Sequence, residues 1–238
     1  MALPYELLVG LRYTRAKRRN HFISFISLIS MAGIGLGVAA LIVVLSVMNG
    51  FQKELRTRIL GVASHIQITA IDGALANWSG VAEQVKKHPE VRETAPFVQS
   101  QGMFSVDGDV KGALIRGILP DLEDGVADFR KTIRSGSLDA LKAGEFGVVL
   151  GADLARSLRV FTGDKVTLIA PQGTVTPAGV VPRVRSFTVV GIFEVGMYEY
   201  DSGLALIHLQ DAQRLYQMGE SVSGVRLKVD DLFKAPRI

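Results

Sequence analysis

The sequence predicts an α+β protein that is anchored in a membrane by one N-terminal helix, and three observations support this fold class. Residues 22–48 contain no charged side chain, although 21% of the 238 residues are charged. Apolar residues make up 48% of the chain, which is enough for a substantial core. Beyond residue 64, short β-branched or alternating runs bounded by turn residues are mixed with helical patterns, as is typical of α+β domains.

The uncharged run Phe22–Met48 is predicted to be a transmembrane helix. At 1.5 Å per residue it would extend about 40 Å, which exceeds a hydrocarbon core of about 30 Å. A buried core helix of this length would show a polar face. A cleaved signal peptide would have a shorter apolar region and a small-residue cleavage site, which the following SVMNGF lacks. We therefore expect a retained anchor over residues 22–48.

The charges that flank this helix predict its orientation. Residues 1–21 form a basic amphipathic segment with one acid, Glu6, and the cationic side chains Arg12, Arg15, Lys17, Arg18 and Arg19. The ten residues after the helix hold only Lys53, Arg56 and Arg58. The positive-inside rule then places the N-terminus in the cytoplasm and residues 49–238 outside.

Two features of the helix concern its surroundings. Gly33 and Gly37 are spaced so that a neighbouring helix could approach closely, although glycines are also tolerated in lipid without such a role. Residues 49–63 are predicted to be a helix extension and linker, because apolar residues recur there at helical spacing and Gly61 offers a stop.

Residues 64–238 are predicted to form one α+β domain with mostly antiparallel strands. A composition break at Pro120–Lys142 is expected to separate a first βαβ-like lobe from a second, strand-rich lobe. The predicted strands are His65–Ile71, Thr94–Val106, Val110–Ile118, Gly147–Leu150, Lys165–Ala170, Ser186–Val195, Gly203–Leu209 and Ser221–Val229. The predicted helices are Ser79–Lys87, Ala152–Leu158 and Gln210–Met218.

A protruding loop is predicted at residues 171–182, between two of these strands. It carries three prolines, two glycines and no charge. Because proline removes ladder donors and stiffens the free chain, we expect this segment to resist becoming ordinary sheet. Its apolar residues, followed by Arg183 and Arg185, suit an arm that docks on a partner, and the alternative is an ordinary mobile loop.

The sequence contains no motif for catalysis. There is no cysteine, no P-loop, no G-x-S-x-G elbow and no H-E-x-x-H pair. The four histidines lack ligand spacing, so no metal and no cofactor are predicted. Asp201 and His208 are the least implausible catalytic pair, and the acidic run Asp121–Asp124 is interpreted as solvated surface. Nucleic-acid binding is disfavoured, because the net charge of +4 belongs to residues 1–21 and the remainder is neutral.

Three stretches resemble the LolC/LolE family of lipoprotein-releasing ABC transporter permeases. They are GLRYTRAKRRNHFISFISLIS, GIGLGVAALIVVLSVMNGFQKELRTRILG and GDKVTLIAPQGTVTPAGVVPRVRSFTVVGIF. The resemblance implies an inner-membrane protein with a two-lobed periplasmic domain of the macrolide-exporter permease type. It also implies three further membrane helices, which residues 1–238 do not include.

The same resemblance implies a function and a set of partners. The family extracts outer-membrane lipoproteins from the inner membrane and passes them to a periplasmic carrier of the LolA type. ATP hydrolysis belongs to a cytoplasmic subunit of the LolD type, a second permease subunit completes the complex, and membrane lipid surrounds it. The alternative is a permease of the macrolide-exporter or division-associated type that acts on a periplasmic adaptor.

The expected site residues fall into two groups, of which the resemblance assigns the first and the apolar side chains at the end of the helix indicate the second. The carrier hook and its basic pad are Pro171, Gln172, Gly173, Thr174, Val175, Thr176, Pro177, Ala178, Gly179, Val180, Val181, Pro182, Arg183 and Arg185. Thr167 stands where the family pattern has a second arginine. An apolar lipoprotein cleft is expected at Met48, Phe51 and Leu55, for which ordinary packing between helices is the alternative.

Overall fold

A computed structural model describes residues 5–14, 21–62, 64–71, 73–176 and 179–229 of the chain. It divides into two compact units, Met1–Leu55 and Arg56–Ile238, which are taken separately below. Four of the predicted basic residues, at positions 15, 17, 18 and 19, lie outside the described residues, as do Pro177 and Ala178 of the predicted arm.

Two helices begin the chain, α1 (Tyr5–Thr14) and α2 (His21–Val62). The predicted transmembrane helix and its extension form one continuous helix of 42 residues. Within α2, the candidate membrane span Phe25–Glu54 contains an 18-residue window with a mean hydropathy of 2.6, and none of that window is buried. Its length and composition suit a membrane, where apolar side chains need no protein core to cover them.

The described residues of the second unit form six further α-helices, one short 3-10 helix (Leu138–Ala140) and nine strands. Every strand and helix predicted for this unit is present; the helix Ala152–Leu158 has the predicted ends, and the others differ at one or both ends. The helices are α3 (Trp78–Lys86), α4 (Pro120–Val126), α5 (Phe129–Thr132), α6 (Ala152–Leu158), α7 (Tyr198–Gly203) and α8 (Leu209–Tyr216). The strands are β1 (Ile66–Thr69), β2 (Val91–Val106), β3 (Asp109–Ile118), β4 (Ile133–Gly136), β5 (Gly147–Gly151), β6 (Lys165–Thr176), β7 (Gly179–Phe193), β8 (Leu204–His208) and β9 (Gly224–Val229).

The strands lie in the order β1-β9-β2-β3-β8-β5-β7-β4, while β6 pairs with both β2 and β7. The pairs β3–β8 and β5–β7 are parallel and the remaining pairs are antiparallel, which confirms the predicted mixture. Long β2 serves two parts of the sheet. Its first half pairs with β9, and its second half pairs with β3 and β6.

Two apolar layers cover the sheet, and alternation along single strands assigns each residue to its layer. On β5, Val148 and Leu150 belong to the larger cluster, whereas Val149 belongs to the second. On β8, Ile207 belongs to the larger cluster and Leu206 belongs to the second. Because successive side chains in a strand point to opposite faces, the two clusters lie on opposite sides of the sheet.

The predicted boundary near Pro120–Lys142 does not divide the domain. This segment contributes α4, α5 and β4, and its apolar residues Phe129, Leu138 and Leu141 pack into the second cluster. The charged residues of the same segment are mostly exposed, which gave the composition a loop-like character. A smaller third cluster, which includes Val91 and Leu227, instead joins β1, β9 and the start of β2.

Candidate functional site

The predicted arm is a β-hairpin, so the expectation that it resists sheet structure was wrong. β6 pairs with β2 only through Thr167–Ile169. Beyond that point, among the residues that the structure describes, β6 pairs only with β7. Thr174 pairs with Val181, Val175 pairs with Val180, and Thr176 pairs with Gly179. The arm, defined as residues 171–182, is therefore a two-stranded extension of the sheet.

The placement of the prolines explains how the arm remains in a sheet. The β6–β7 ladder is interrupted between Ala170 and Thr174. Pro171 lies in this interruption on β6, and Pro182 lies opposite it on β7. Proline is tolerated at bulges because no ladder hydrogen bond is needed from its nitrogen. The prolines therefore mark an irregularity in the hairpin and do not prevent its formation.

Apolar side chains are exposed where the arm joins the sheet. Val181 is 54% exposed and Val184 is 58% exposed. Both lie on β7, near Arg183 and Arg185 in sequence. The side chains of Gln172 and of residues 174–180 lie outside the described part of the chain. The described portion of the arm thus presents apolar surface beside cationic groups.

Neutral partners hold the arginines at the base of the arm. Arg183 donates from Nη1 to the carbonyl oxygen of Leu215 at 3.1 Å and from Nη2 to Oε1 of Gln217 at 2.5 Å. The Arg185 guanidinium lies 4.2 Å from the ring centroid of Phe146, a cation–π contact. Because neither partner is an acid, both guanidinium groups keep their charge available.

A third arginine, Arg214, completes this basic surface. A pocket of about 230 Å³ is lined by Phe146, Arg183, Val184, Arg185, Arg214 and Leu215. Arg214 lies 4.0 Å from buried Asp211, but the Asp211 oxygens already accept the backbone N–H groups of Gly144 and Phe146. We call Arg183, Arg185 and Arg214 the basic base; it can bind carboxylates through charge-assisted hydrogen bonds.

Sequence reasoning found two members of the basic base and missed the third. Arg214 lies on α8, and its sequence separation from Arg185 hides their proximity. The available signal was the amphipathic pattern of α8, which places Arg214 on the exposed face while Leu215 and Tyr216 are buried.

The residues predicted within the apolar helix lie in the first unit. A Cβ atom added at Gly33 or Gly37 would meet nothing within 4 Å, so this face of α2 is open to a neighbouring helix. Met48 and Phe51 are exposed, three residues apart on one helix face, whereas the side chain of Leu55 lies outside the described residues.

The titratable residues considered for catalysis have structural roles. Asp201 accepts the N–H groups of Val195 and Gly196, each at 2.8 Å. His208 caps α8 by accepting the N–H of Gln210 at 3.2 Å. Within the described ranges, no group of three or more histidines and acids could hold a metal ion. The surface interpretation of Asp121–Asp124 was wrong for Glu123, which is buried and pairs with Arg226.

Comparison with known proteins gives two kinds of match. Residues 27–235 match the family described as the MacB-like periplasmic core domain. The chain is 47% identical over 233 residues to the lipoprotein-releasing system transmembrane protein LolC of Neisseria meningitidis serogroup B, a match that covers 98% of this chain and 56% of that protein. It is 31% identical over 233 residues to the LolE protein of the corresponding system of Haemophilus influenzae, covering 95% and 55%.

Solved structures resemble the chain more weakly. The periplasmic region of MacB from Actinobacillus actinomycetemcomitans is 17% identical, with a TM-score of 0.43, over 70% of this chain and 67% of that chain. A TM-score of 0.43 does not establish a shared fold, and the fold is assigned from the match to the family. The chain spans about half the length of the curated relatives that it matches.

Proposed function

This chain belongs to the MacB-like periplasmic core domain family and, within it, to the LolC/LolE permeases, and from that membership we propose that it helps release lipoproteins from the inner membrane. Its apolar N-terminal helix would be the membrane anchor, with the N-terminus in the cytoplasm and residues 64–238 in the periplasm. The domain would then hand lipoproteins to a soluble carrier of the LolA type.

One observation carries the hand-over step, namely a hairpin that extends beyond the sheet with cationic groups at its base. Exposed Val181 and Val184 supply apolar contact area, and neutral partners hold Arg183 and Arg185 in place. A carrier with an apolar patch bordered by acids would bind both features together. Such complementary charges fix the orientation of two partners and speed their association.

Other subunits would supply the remaining activities. No catalytic role is assigned to this chain, and ATP hydrolysis would take place in a cytoplasmic subunit of the LolD type. A second permease subunit would pack against α2, for which Gly33 and Gly37 offer an open helix face. Exposed Met48 and Phe51 would contact lipoprotein acyl chains, since methionine adapts to variable apolar shapes.

Site-specific photocrosslinking tests the hand-over. A photoreactive amino acid at Val181 should capture the periplasmic lipoprotein carrier in cells that make both proteins. The matched control is Val110, which is 50% exposed at the β2–β3 turn and should give no such adduct. Absence of an adduct at Val181, or equal capture at both positions, would contradict the proposal.

Charge reversal tests the basic base separately from the apolar arm. We expect Arg185→Glu to weaken carrier binding at least tenfold, because it places a carboxylate against an acidic surface. Arg156→Glu, at an exposed position of α6, makes the same charge change outside the arm and should leave binding unchanged. Equal losses in the two variants would indicate a general effect of net charge.

The second candidate function is a permease of the macrolide-exporter type that acts on a periplasmic adaptor, which the match to the MacB-like family favours. Such a permease needs no arm for its partner. Deletion of residues 172–181 would then leave partner binding intact, whereas loss of binding supports the lipoprotein hand-over.

A further inference from the structure

Arg116 on β3 is a buried cation whose hydrogen bonds are largely unmade. Its relative exposure is 6%, and neither Nε nor Nη1 has a hydrogen-bond partner among the described residues. The remaining nitrogen, Nη2, lies 3.4 Å from Oε1 of Gln99, which is a long contact with a neutral group. A buried charge without such partners is costly.

The neighbouring charges do not neutralise Arg116. The buried acid nearby, Glu123, forms an ion pair with the equally buried Arg226. Burial and the positive charge of Arg226 lower the pKa of Arg116 to about 10. The side chain is therefore still protonated at neutral pH, and two buried arginines share one buried carboxylate.

The other two buried acids of the described domain, Asp201 and Asp211, accept hydrogen bonds with both carboxylate oxygens. In each case the donors are two backbone N–H groups. Arg116 differs from these two acids, because its Nε and Nη1 groups donate no hydrogen bond among the described residues. A group that carries a negative charge and enters from outside would satisfy these two donors.

Arg116 lines an open pocket that is large enough for such a group. The pocket has a volume of about 310 Å³, and its polar lining includes Gln67, Gln99 and Tyr200. Exposed Glu199 also borders it, but the carboxylate that acts on Arg116 is Glu123. The volume is within the usual range of small-molecule sites.

An apolar groove adjoins this pocket. The groove has a volume of about 470 Å³ and is lined largely by apolar and small residues, among them Met103, Ala113 and Pro171. Leu114 and Gly203 line both the groove and the Arg116 pocket, so the two are continuous. The combination is an apolar trough that ends at a buried cation.

We propose that this continuous site binds an amphipathic anion, with its carboxylate or phosphate head at Arg116 and its apolar chain along Met103 and Leu114. The head would gain charge-assisted hydrogen bonds inside the pocket, and the chain would bury apolar surface in the groove. The site lies at a different place from the basic base, and the proposal does not depend on carrier binding.

Calorimetric titration of the full chain in nanodiscs of zwitterionic lipid tests the site. Octanoate represents a free fatty acid, and dihexanoyl phosphatidate represents a phospholipid. We expect at least one of them to bind saturably and to raise Tm, because a ligand specific for the folded state stabilises it. Octanol lacks an anionic head and inorganic phosphate lacks an apolar chain, so each should bind at least tenfold more weakly. Equal binding of octanol would overturn the proposal.

Three variants separate a binding role from a structural one. Arg116→Met should abolish anion binding while leaving the ligand-free Tm unchanged or higher, because it removes an uncompensated buried charge. Gly203→Leu should also abolish binding without loss of fold, since a Cβ at this position meets nothing within 4 Å. Glu199→Gln should strengthen anion binding, because it removes a negative charge from the border of the pocket.

The contrary results are equally specific. A lower Tm in Glu199→Gln would mean that Glu199 already compensates Arg116, and this outcome would overturn the proposal. Unchanged octanoate and phosphatidate binding in Gly203→Leu would overturn it too, even if Arg116→Met failed to fold. Arg134→Gln, a change to an exposed arginine elsewhere on the domain, is the control and should behave as wild type.

Discussion

Glu123 and Arg226 form a buried ion pair in which the two residues are 1% exposed or less. Removing one partner of such a pair leaves an uncompensated charge in the interior, and two arginines would remain here. We therefore expect Glu123→Gln to lower the free energy of unfolding by about 3–5 kcal/mol. Urea titration followed by near-UV circular dichroism measures this change.

The control for this variant is an ion pair on the surface. Asp139→Asn breaks the exposed pair with Arg130 and should cost much less than Glu123→Gln, because solvent screens an exposed ion pair. If Glu123→Gln proved no more harmful than Asp139→Asn, the buried pair would not be the charge balance of this part of the core.

His208 makes stability depend on pH, because its ring must be neutral to cap α8. Nδ1 accepts the N–H of Gln210, and burial lowers the pKa of the ring below its ordinary value of 6.5. A lowered pKa means that the folded state disfavours protonation. The contribution is therefore complete above pH 6.5 and is lost as the pH falls through the folded-state pKa.

His208→Asn should remove this pH dependence, since asparagine caps helices well and does not titrate. We expect the variant to match wild type within about 1 kcal/mol at pH 8 and to lose less stability than wild type below pH 6. Urea titrations at the two pH values measure both quantities. Parallel losses in the two proteins would assign the acid sensitivity to other groups.

The sequence could not predict the role of Glu123. The run Asp121–Asp124 contains three acids in four residues, which is a surface pattern. Its partner Arg226 lies 103 residues away along the chain. Only the tertiary fold brings the two together, and the same is true of Arg116 and Arg226. By contrast, Arg183 and Arg185 could be found because they follow the arm directly.

The arm is the element whose existence was predicted and whose conformation was not. Its bounds follow from the prolines and from the absence of charge between Pro171 and Pro182. The hairpin can form because the β6–β7 ladder is interrupted at the prolines. The position of this interruption depends on the pairing register of β6 and β7. Residue composition carries no information on that register.

Replacing residues 171–182 with an Asn-Gly turn tests whether the arm is separable from the domain. Ala170 and Arg183 are paired, so a two-residue turn can join them directly. Because the described ladder beyond Ala170 lies between arm residues alone, the free energy of unfolding should change by less than about 1 kcal/mol. Carrier binding, measured by co-purification, should be lost.

The result is informative in either direction. A large loss of stability would mean that the arm packs on its own domain and does not reach a partner. Retained carrier binding with an intact domain would instead favour the exporter-like alternative, in which no arm is required.

At the scale of the whole molecule, the chain lacks cysteine, which makes its orientation simple to measure. Single substitutions Tyr13→Cys and Val181→Cys place a thiol at exposed positions on α1 and on the arm. We expect a maleimide that cannot cross the inner membrane to label V181C in cells with a permeable outer membrane. Labelling of Y13C should require disruption of the inner membrane, and the reverse pattern would contradict the proposed topology.

Local patterns predicted the strands and helices of the domain but not its internal division. Alternation and turn residues are local signals, and they located β3, β5, β8 and α6 closely. Pairing partners are not local, since β1 pairs with β9 across most of the domain sequence. The expected boundary at Pro120–Lys142 was therefore wrong, because apolar residues of this segment pack into the second cluster and residues 56–238 form one compact unit.

The pairing of β1 with β9 has a mechanical consequence. Ile66 pairs with Leu227, so the start of β1 lies beside the end of β9. His65 closes that end, since its Nδ1 lies 3.2 Å from the N–H of Val229, which donates to it. A force that separates the start of β1 from the end of β9 would load these hydrogen bonds one after another, beginning with the contact of His65.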